Sequence, residues 1–283
     1  LIFTATETIC MDLLSALQPA ILPLVLGVMI GVVMALTGAG GGILSVPLLV
    51  FALNLPLINA GPIGLLAVAV SSALGALLAL RAGTLRYRAA LLLALAGLIF
   101  SPFGLWLAHQ IPNQPLTIIF AVVLLYVAIK ILLEVYRNSK GIQEPHQSVP
   151  CTLDLSIGRL IWTVPCARAL MGSGALAGFL SGLLGVGGGF VIVPALKKIS
   201  DLPMQSIVAT SLGVIALISL GGVAGSSLSG NMNWSIAVPF ACGAILGMLI
   251  GRIGASRISN QSIQLVFGIF LVLVAISLII KSV

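Results

Sequence analysis

The sequence predicts an all-α polytopic membrane protein made of two inverted-topology repeats, each a Gly-broken helical element followed by three transmembrane helices. Three observations carry this: charge is confined to a few stretches, the chain repeats itself at a fixed offset, and the loop charges of the two halves are reversed. Hydrophobic residues make up 60% of the 283 and charged ones only 7%, with a mean hydropathy of +1.25. Too few polar side chains remain to cover a water-soluble domain, which excludes a nuclear, secreted or peripheral protein. No Lys, Arg, Asp or Glu falls in 13–80, 89–129, 169–196, 202–251 or 258–280. At roughly 20 apolar residues per crossing, these stretches hold about eight hydrophobic segments, and up to about ten helices where glycines divide them. The net charge of +7 is spread over short loops rather than gathered on one face. That pattern suits positive-inside bias and not nucleic acid.

The repeat appears when 36–129 is slid onto 183–276 at a constant offset of 147, the step from Gly40 to Gly187. Gly38, Gly40, Gly41, Gly42, Val46 and Pro47 then fall on Gly185, Gly187, Gly188, Gly189, Val193 and Pro194. Ser72 and Gly75 meet Ser219 and Gly222, Gly104 meets Gly251, and Asn113-Gln114 meets Asn260-Gln261. Glycine and proline in register are informative because backbone geometry, not greasiness, places them. The predicted organisation is a first repeat at 20–136, a polar linker at 137–168 and a second repeat at 169–281. The first repeat reads as a Gly-interrupted segment at 20–53 and spans at 60–80, 90–108 and 115–135. The second reads as a broken segment at 169–196 and spans at 204–226, 235–251 and 261–280. The linker holds Arg137, Lys140, Glu144, Pro145, His146, Pro150, Asp154, Arg159 and Arg168. Ahead of the first repeat, the opening eighteen residues carry Glu7 and Asp12 and no basic region, unlike a cleaved signal peptide.

Loop charges orient the halves. In the first, the loop before 60–80 is neutral, the next carries Arg81, Arg86 and Arg88, and the third has only His109. The equivalent loops of the second carry Lys197 and Lys198, then nothing, then Arg252 and Arg257. Reversed charge in matching loops is what opposite membrane orientations produce. Each repeat then needs an odd number of crossings, met by three spans plus a broken element that enters and returns, either as a half-depth hairpin or as two tilted short helices. The loops through Arg88, Lys140, Lys198 and Arg257 are expected to be cytoplasmic, with both termini outside.

The candidate site is the pair of glycine-rich breaks, Thr37 to Pro47 and Leu184 to Pro194. Four glycines among five residues open a helix and expose N–H groups that hydrocarbon cannot satisfy. Helices restarting at Ile43 and Phe190 would present free amides and the positive end of a dipole, so an anion could bind at Gly40, Gly41 and Gly42 or at Gly187, Gly188 and Gly189 without a charged side chain. Two such breaks from inverted halves can meet at one midplane site. The competing reading is close helix packing through small residues. A dinucleotide-binding loop does not fit, since no acid follows about twenty residues on. Cys10, Cys151, Cys166 and Cys242 lack metal-site spacing, so neither a metal nor a disulfide framework is expected, and no cofactor.

At these residues the chain resembles the sulfite exporter TauE/SafE group of membrane transporters. The resemblance rests on Gly187-Gly188-Gly189-Phe190-Val191-Ile192-Val193-Pro194-Ala195-Leu196, on Ala209-Thr210-Ser211-Leu212 and on Gly230-Asn231-Met232-Asn233-Trp234, and it covers about 20–280. It implies a multi-pass bacterial inner-membrane protein whose partners are the lipid bilayer and a small sulfur-containing anion such as sulfite, thiosulfate or an organosulfonate, with no enzyme activity. Its oligomeric state is not implied. The first half departs from the pattern, since Thr210 and Ser211 are matched by Ile63 and Gly64. Hydroxyl donors are therefore expected chiefly from Thr210 and Ser211, with Ser45, Ser72 and Ser219 as further candidates. For each, the alternative is a bond to its own helix carbonyl.

No charged residue lies deep in a predicted span. Lys130 and Glu134 are expected to snorkel, His109 to sit at an interface, Cys242 to pack as a small residue, and Trp106, Trp162 and Trp234 to anchor at interfaces. An intramembrane enzyme would need acids, histidines or a metal set at that depth. A channel, a transporter of some other small anion, and a non-transporting scaffold are the remaining rivals.

Overall fold

The computed structural model describes residues 2–38, 40–140, 151, 153–154, 159–160, 163–228, 232–254 and 260–282. The readings placed on Trp162, Gly230, Asn231, Arg257 and linker residues 141–150 lie outside them. Among the described residues there are ten helices: α1 (Ile2–Thr37), α2 (Gly40–Ala52), α3 (Leu57–Arg81), α4 (Tyr87–Gln110), α5 (Asn113–Ser139), α6 (Val164–Leu184), α7 (Gly189–Ile199), α8 (Met204–Leu228), α9 (Trp234–Gly254) and α10 (Asn260–Ser282). Between α5 and α6, β1 (Leu153–Asp154) and β2 (Arg159–Leu160) form a two-residue antiparallel ladder. Seven helices are long and apolar enough to cross a bilayer among the described residues; α2 and the apolar part of α10 are shorter. The protein is an all-α polytopic membrane protein.

Local chemistry sets the ends. Thr163 caps α6 by accepting the Cys166 N–H at 3.3 Å, and Gly185 closes that helix at φ 70°, donating its N–H to the Ser181 carbonyl. Pro56 precedes α3, Pro112 precedes α5 and Pro203 precedes α8, positions where a missing N–H costs nothing. The boundaries also obey the offset of 147. Thr37 and Leu184 end α1 and α6; Leu57–Arg81 and Met204–Leu228 bound α3 and α8; Tyr87 and Trp234 open α4 and α9; Asn113 and Asn260 open α5 and α10.

Packing follows the same exchange. The first helix of each half lies along the fourth helix of the other, α1 on α9 and α6 on α4. Missing Cβ atoms let the backbones touch: Gly27 meets Phe240 and Ala244, Gly31 meets Ala244 and Met248, and Gly243 meets Leu24 and Val28. In the twin seam Gly97 meets Gly174, Gly178 meets Gly97, Gly104 meets Phe179 and Leu183, and Gly182 meets Ser101. Numbering rises together across both seams, so each pair is parallel, as small-residue interfaces in membranes allow. Numbering falls across α3 and α8: Gly75 faces Leu212, whereas Gly222 faces Leu65. Repeat mates α3 and α8 are thus antiparallel, the geometry of an inverted repeat.

Basic groups collect at one end of the bundle. Lys197 pairs with Glu134, the Arg252 guanidinium reaches the Gly75 carbonyl at 3.4 Å, and the Arg86 N–H donates to Thr210 Oγ1 at 3.2 Å. Burial pushes the Lys197 ammonium below the ordinary lysine value. Trp106 and Trp234 are exposed near the opposite ends of α4 and α9. Glu134, expected to snorkel, is exposed and paired with Lys197. Two expectations need correcting. Cys151 and Cys166 form a disulfide, with Cα atoms 4.9 Å apart, where none was expected; spacing alone does not reveal pairing. Cys242 is exposed, because the packed face of α9 runs through Phe240, Gly243, Ala244 and Gly247.

Candidate functional site

Both breaks exist, and they differ in length. Gly38 leaves α1 at φ 74°, and α2 begins at Gly40, so Gly41, Gly42 and Ile43 lie inside its first turn. In the second, Gly185, Gly187 and Gly188 all have positive φ, and α7 begins at Gly189 ahead of Phe190. The restarts therefore come three residues and one residue earlier than expected from sequence. Glycine tolerates a helix start, and among the described residues the first break shows one left-handed glycine where the second shows three.

The two breaks come together. A Cβ on Gly42 would stand 2.5 Å from the Val186 carbonyl oxygen and 3.6 Å from Val68. A Cβ on Gly187 would stand 2.8 Å from Ser219 Oγ, 3.0 Å from Val68 and 3.3 Å from Ile215. Val68 of α3 thus touches both breaks, and Ile215 and Ser219 of α8 close the far side. These residues sit near the middles of α3 and α8, at the crossing of the antiparallel pair. Gly41 lies against Met34 and the Ile30 carbonyl, so α2 folds back on α1, and Gly188 lies against the Ala177 carbonyl of α6. Ile43 and Phe190 are buried.

The polar groups divide into spent and unspent. Ser45 donates to the Gly42 carbonyl at 2.6 Å, Ser72 to Val68 at 2.5 Å and Ser211 to Val208 at 2.8 Å, all within their own helices. Thr210 Oγ1 accepts from Arg86, and Val208 flanks Gly38 at 2.5 Å from its missing Cβ. Thr210 therefore lies toward the basic end, and the hydroxyls of both Thr210 and Ser211 are already engaged. Ser219 differs: it is fully buried and its hydroxyl has no partner among the described residues. Its repeat mate Ser72 lies across the crossing and is satisfied internally. Sequence reading missed two further buried hydroxyls without partners, Ser181 and Ser226. Their repeat mates are Met34 and Ala79, so matching the halves gave no signal for either.

Every buried polar side chain among the described residues is a serine or threonine, and none is charged. What the crossing offers is hydroxyl and main-chain N–H: the first amides of α2 and α7 have no acceptor inside their helices, although Val191 N–H donates to the Gly188 carbonyl at 3.1 Å, and both helix dipoles point their positive ends here. Such a site favours a small anion over a cation.

The sulfite exporter TauE/SafE family matches residues 23–278. Among curated proteins, the probable membrane transporter YunE of Bacillus subtilis is 25% identical over 257 residues, covering 88% of this chain and 93% of its own. Probable membrane transporters of two Xylella fastidiosa strains are 30% and 31% identical, each pairing 88% of this chain with 90% of theirs. No solved structure matches. With nearly the whole chain matched, the twin glycine breaks in place and the bundle apolar throughout, the chain belongs to the sulfite exporter TauE/SafE family of membrane transporters.

Proposed function

We propose that the protein carries a small sulfur-containing anion, sulfite, thiosulfate or an organosulfonate, across the bacterial inner membrane, and that it is a transporter with no enzymatic step. The anion binds where Gly40, Gly41 and Gly42 of one half meet Gly187, Gly188 and Gly189 of the other, held by the first amides of α2 and α7 and by Ser219. The observation that carries this reading is the buried Ser219 hydroxyl beside Gly187, which among the described residues has no partner and no buried charged side chain near it. Ser72, Thr210 and Ser211 would join only by releasing their present bonds. The two repeats, 20–136 and 169–281 across the 137–168 linker, supply the two faces of alternating access: rocking one break and its flanking helices against the other exposes the same amides to either side.

The test is uptake into proteoliposomes of sulfite, thiosulfate, sulfate and methanesulfonate. Saturable movement of one or more sulfur anions, inhibited by the others, is expected. Conductance that rises without saturation would make the protein a channel, and no movement of any of the four would remove this substrate class.

A further inference from the structure

A small cavity of about 40 Å³ opens beside the second break, toward the neutral end of the bundle. Its mostly apolar lining includes Gly61 and Leu65 of α3, His109 of α4, Gly182 of α6 with the Gly185 that closes it, and Ser226 of α8. Two features make it more than a packing gap. The Ser226 hydroxyl is buried on its wall and has no partner among the described residues, an uncompensated desolvation unless something polar enters. At its mouth, His109 Nδ1 lies 2.8 Å from the Leu105 carbonyl, and a carbonyl only accepts, so Nδ1 carries the proton. The neutral ring then offers a visitor only the lone pair of Nε2. Once the ring takes a second proton, Nε2–H becomes a donor bearing positive charge. Among the described residues no Asp, Glu, Lys or Arg lines the cavity to compete with an anion for that charge. The other half differs at the matching place: the mate of Leu105, which lines this cavity, is Arg252, whose guanidinium is bonded to the Gly75 carbonyl.

We propose that this cavity is an anion-docking subsite on the neutral face, where a small oxyanion is held by the Ser226 hydroxyl and by protonated His109 beside Gly185. Its place on the transport path rests on the function proposed above; its preference for anions does not. The anion would pass from here along Gly185 to Gly187 and Ser219.

The test uses Ser226→Cys in a chain also carrying Cys10→Ser and Cys242→Ala, modified in detergent by 2-sulfonatoethyl methanethiosulfonate and by its trimethylammonium analogue. The ratio of anionic to cationic rates, divided by the same ratio for free cysteine, cancels the reactivity of the thiol itself. At about pH 5.5 a normalised ratio of roughly fivefold or more is expected. It falls toward one at about pH 8, and at both values in the His109→Gln variant. A ratio near one throughout, or one that His109→Gln leaves unchanged, overturns the proposal. Leu65→Cys, on the same wall, gives the same reading if Ser226→Cys does not fold. Since labelling needs no transport, a protein that moves none of the sulfur anions would fail the functional reading and leave this result standing.

Discussion

Glycine 188 shows what one missing side chain does. Its φ of 66° lies in the left-handed region, which costs any other L-residue about 1–2 kcal/mol, and a Cβ there would press on the Ala177 carbonyl. Gly188→Ala is therefore expected to lower stability by about 2 kcal/mol or more. Gly172, on the exposed face of α6 with nothing within 4 Å, is the control: Gly172→Ala should be neutral or stabilising by up to about 1 kcal/mol. Thermal unfolding in detergent measures both, and equal midpoints would mean that the second break is not held as described. The glycines and Ser219 were legible in the sequence because two copies of one pattern single out residues placed by geometry. Ser226 and Ser181 were not, since a serine opposite alanine or methionine in the other copy is indistinguishable from any helix serine. The engagement of Thr210 was hidden too: its partner, the Arg86 N–H, is a main-chain group 124 residues away.

Elements were more legible than residues. Pro56, Pro112, Pro203 and the glycine clusters punctuate the chain, and charge gaps supply the lengths. The seams were not, because Gly27, Gly31, Gly243 and Gly247 look like ordinary small residues until α1 and α9 are seen side by side. Antiparallel α3 and α8 give the inverted repeat a direct check. Single thiols at Ala82, just past the end of α3, and at Ser227, in the last turn of its repeat mate α8, should react with an impermeant maleimide from opposite sides of intact cells, Ser227 first and Ala82 only after permeabilisation. Labelling of both from one side would contradict the inversion. The order of labelling tests orientation separately. Loop charges put the basic end inside, whereas the Cys151–Cys166 disulfide at that same end belongs to a bond type rare in the cytosol. Both cysteines are buried, and the charge bias runs through four loops, so the charges are expected to decide. Ala82 labelled first would keep the inversion and reverse the orientation.

At the scale of the whole molecule, two copies of a five-helix plan interlock by exchanging helices, and the exchange brings both breaks to one crossing in an uncharged core. Holding an anion there without a cation means that release needs no buried ion pair to be broken, which suits a carrier that must let go on the far side. The sequence revealed the two halves and their opposite sense, but not the unequal breaks, because both carry the same glycines and only tertiary packing decides how many turn left-handed. The claim that main-chain amides and one hydroxyl hold the anion is tested most directly by Ser219→Ala, followed by both thermal unfolding and substrate affinity. Deleting a buried hydroxyl with no partner leaves stability unchanged or raised, while the loss of a hydrogen bond to a charged ligand weakens substrate binding about tenfold or more. A variant that binds and transports the anion as tightly as the parent protein would contradict the assignment.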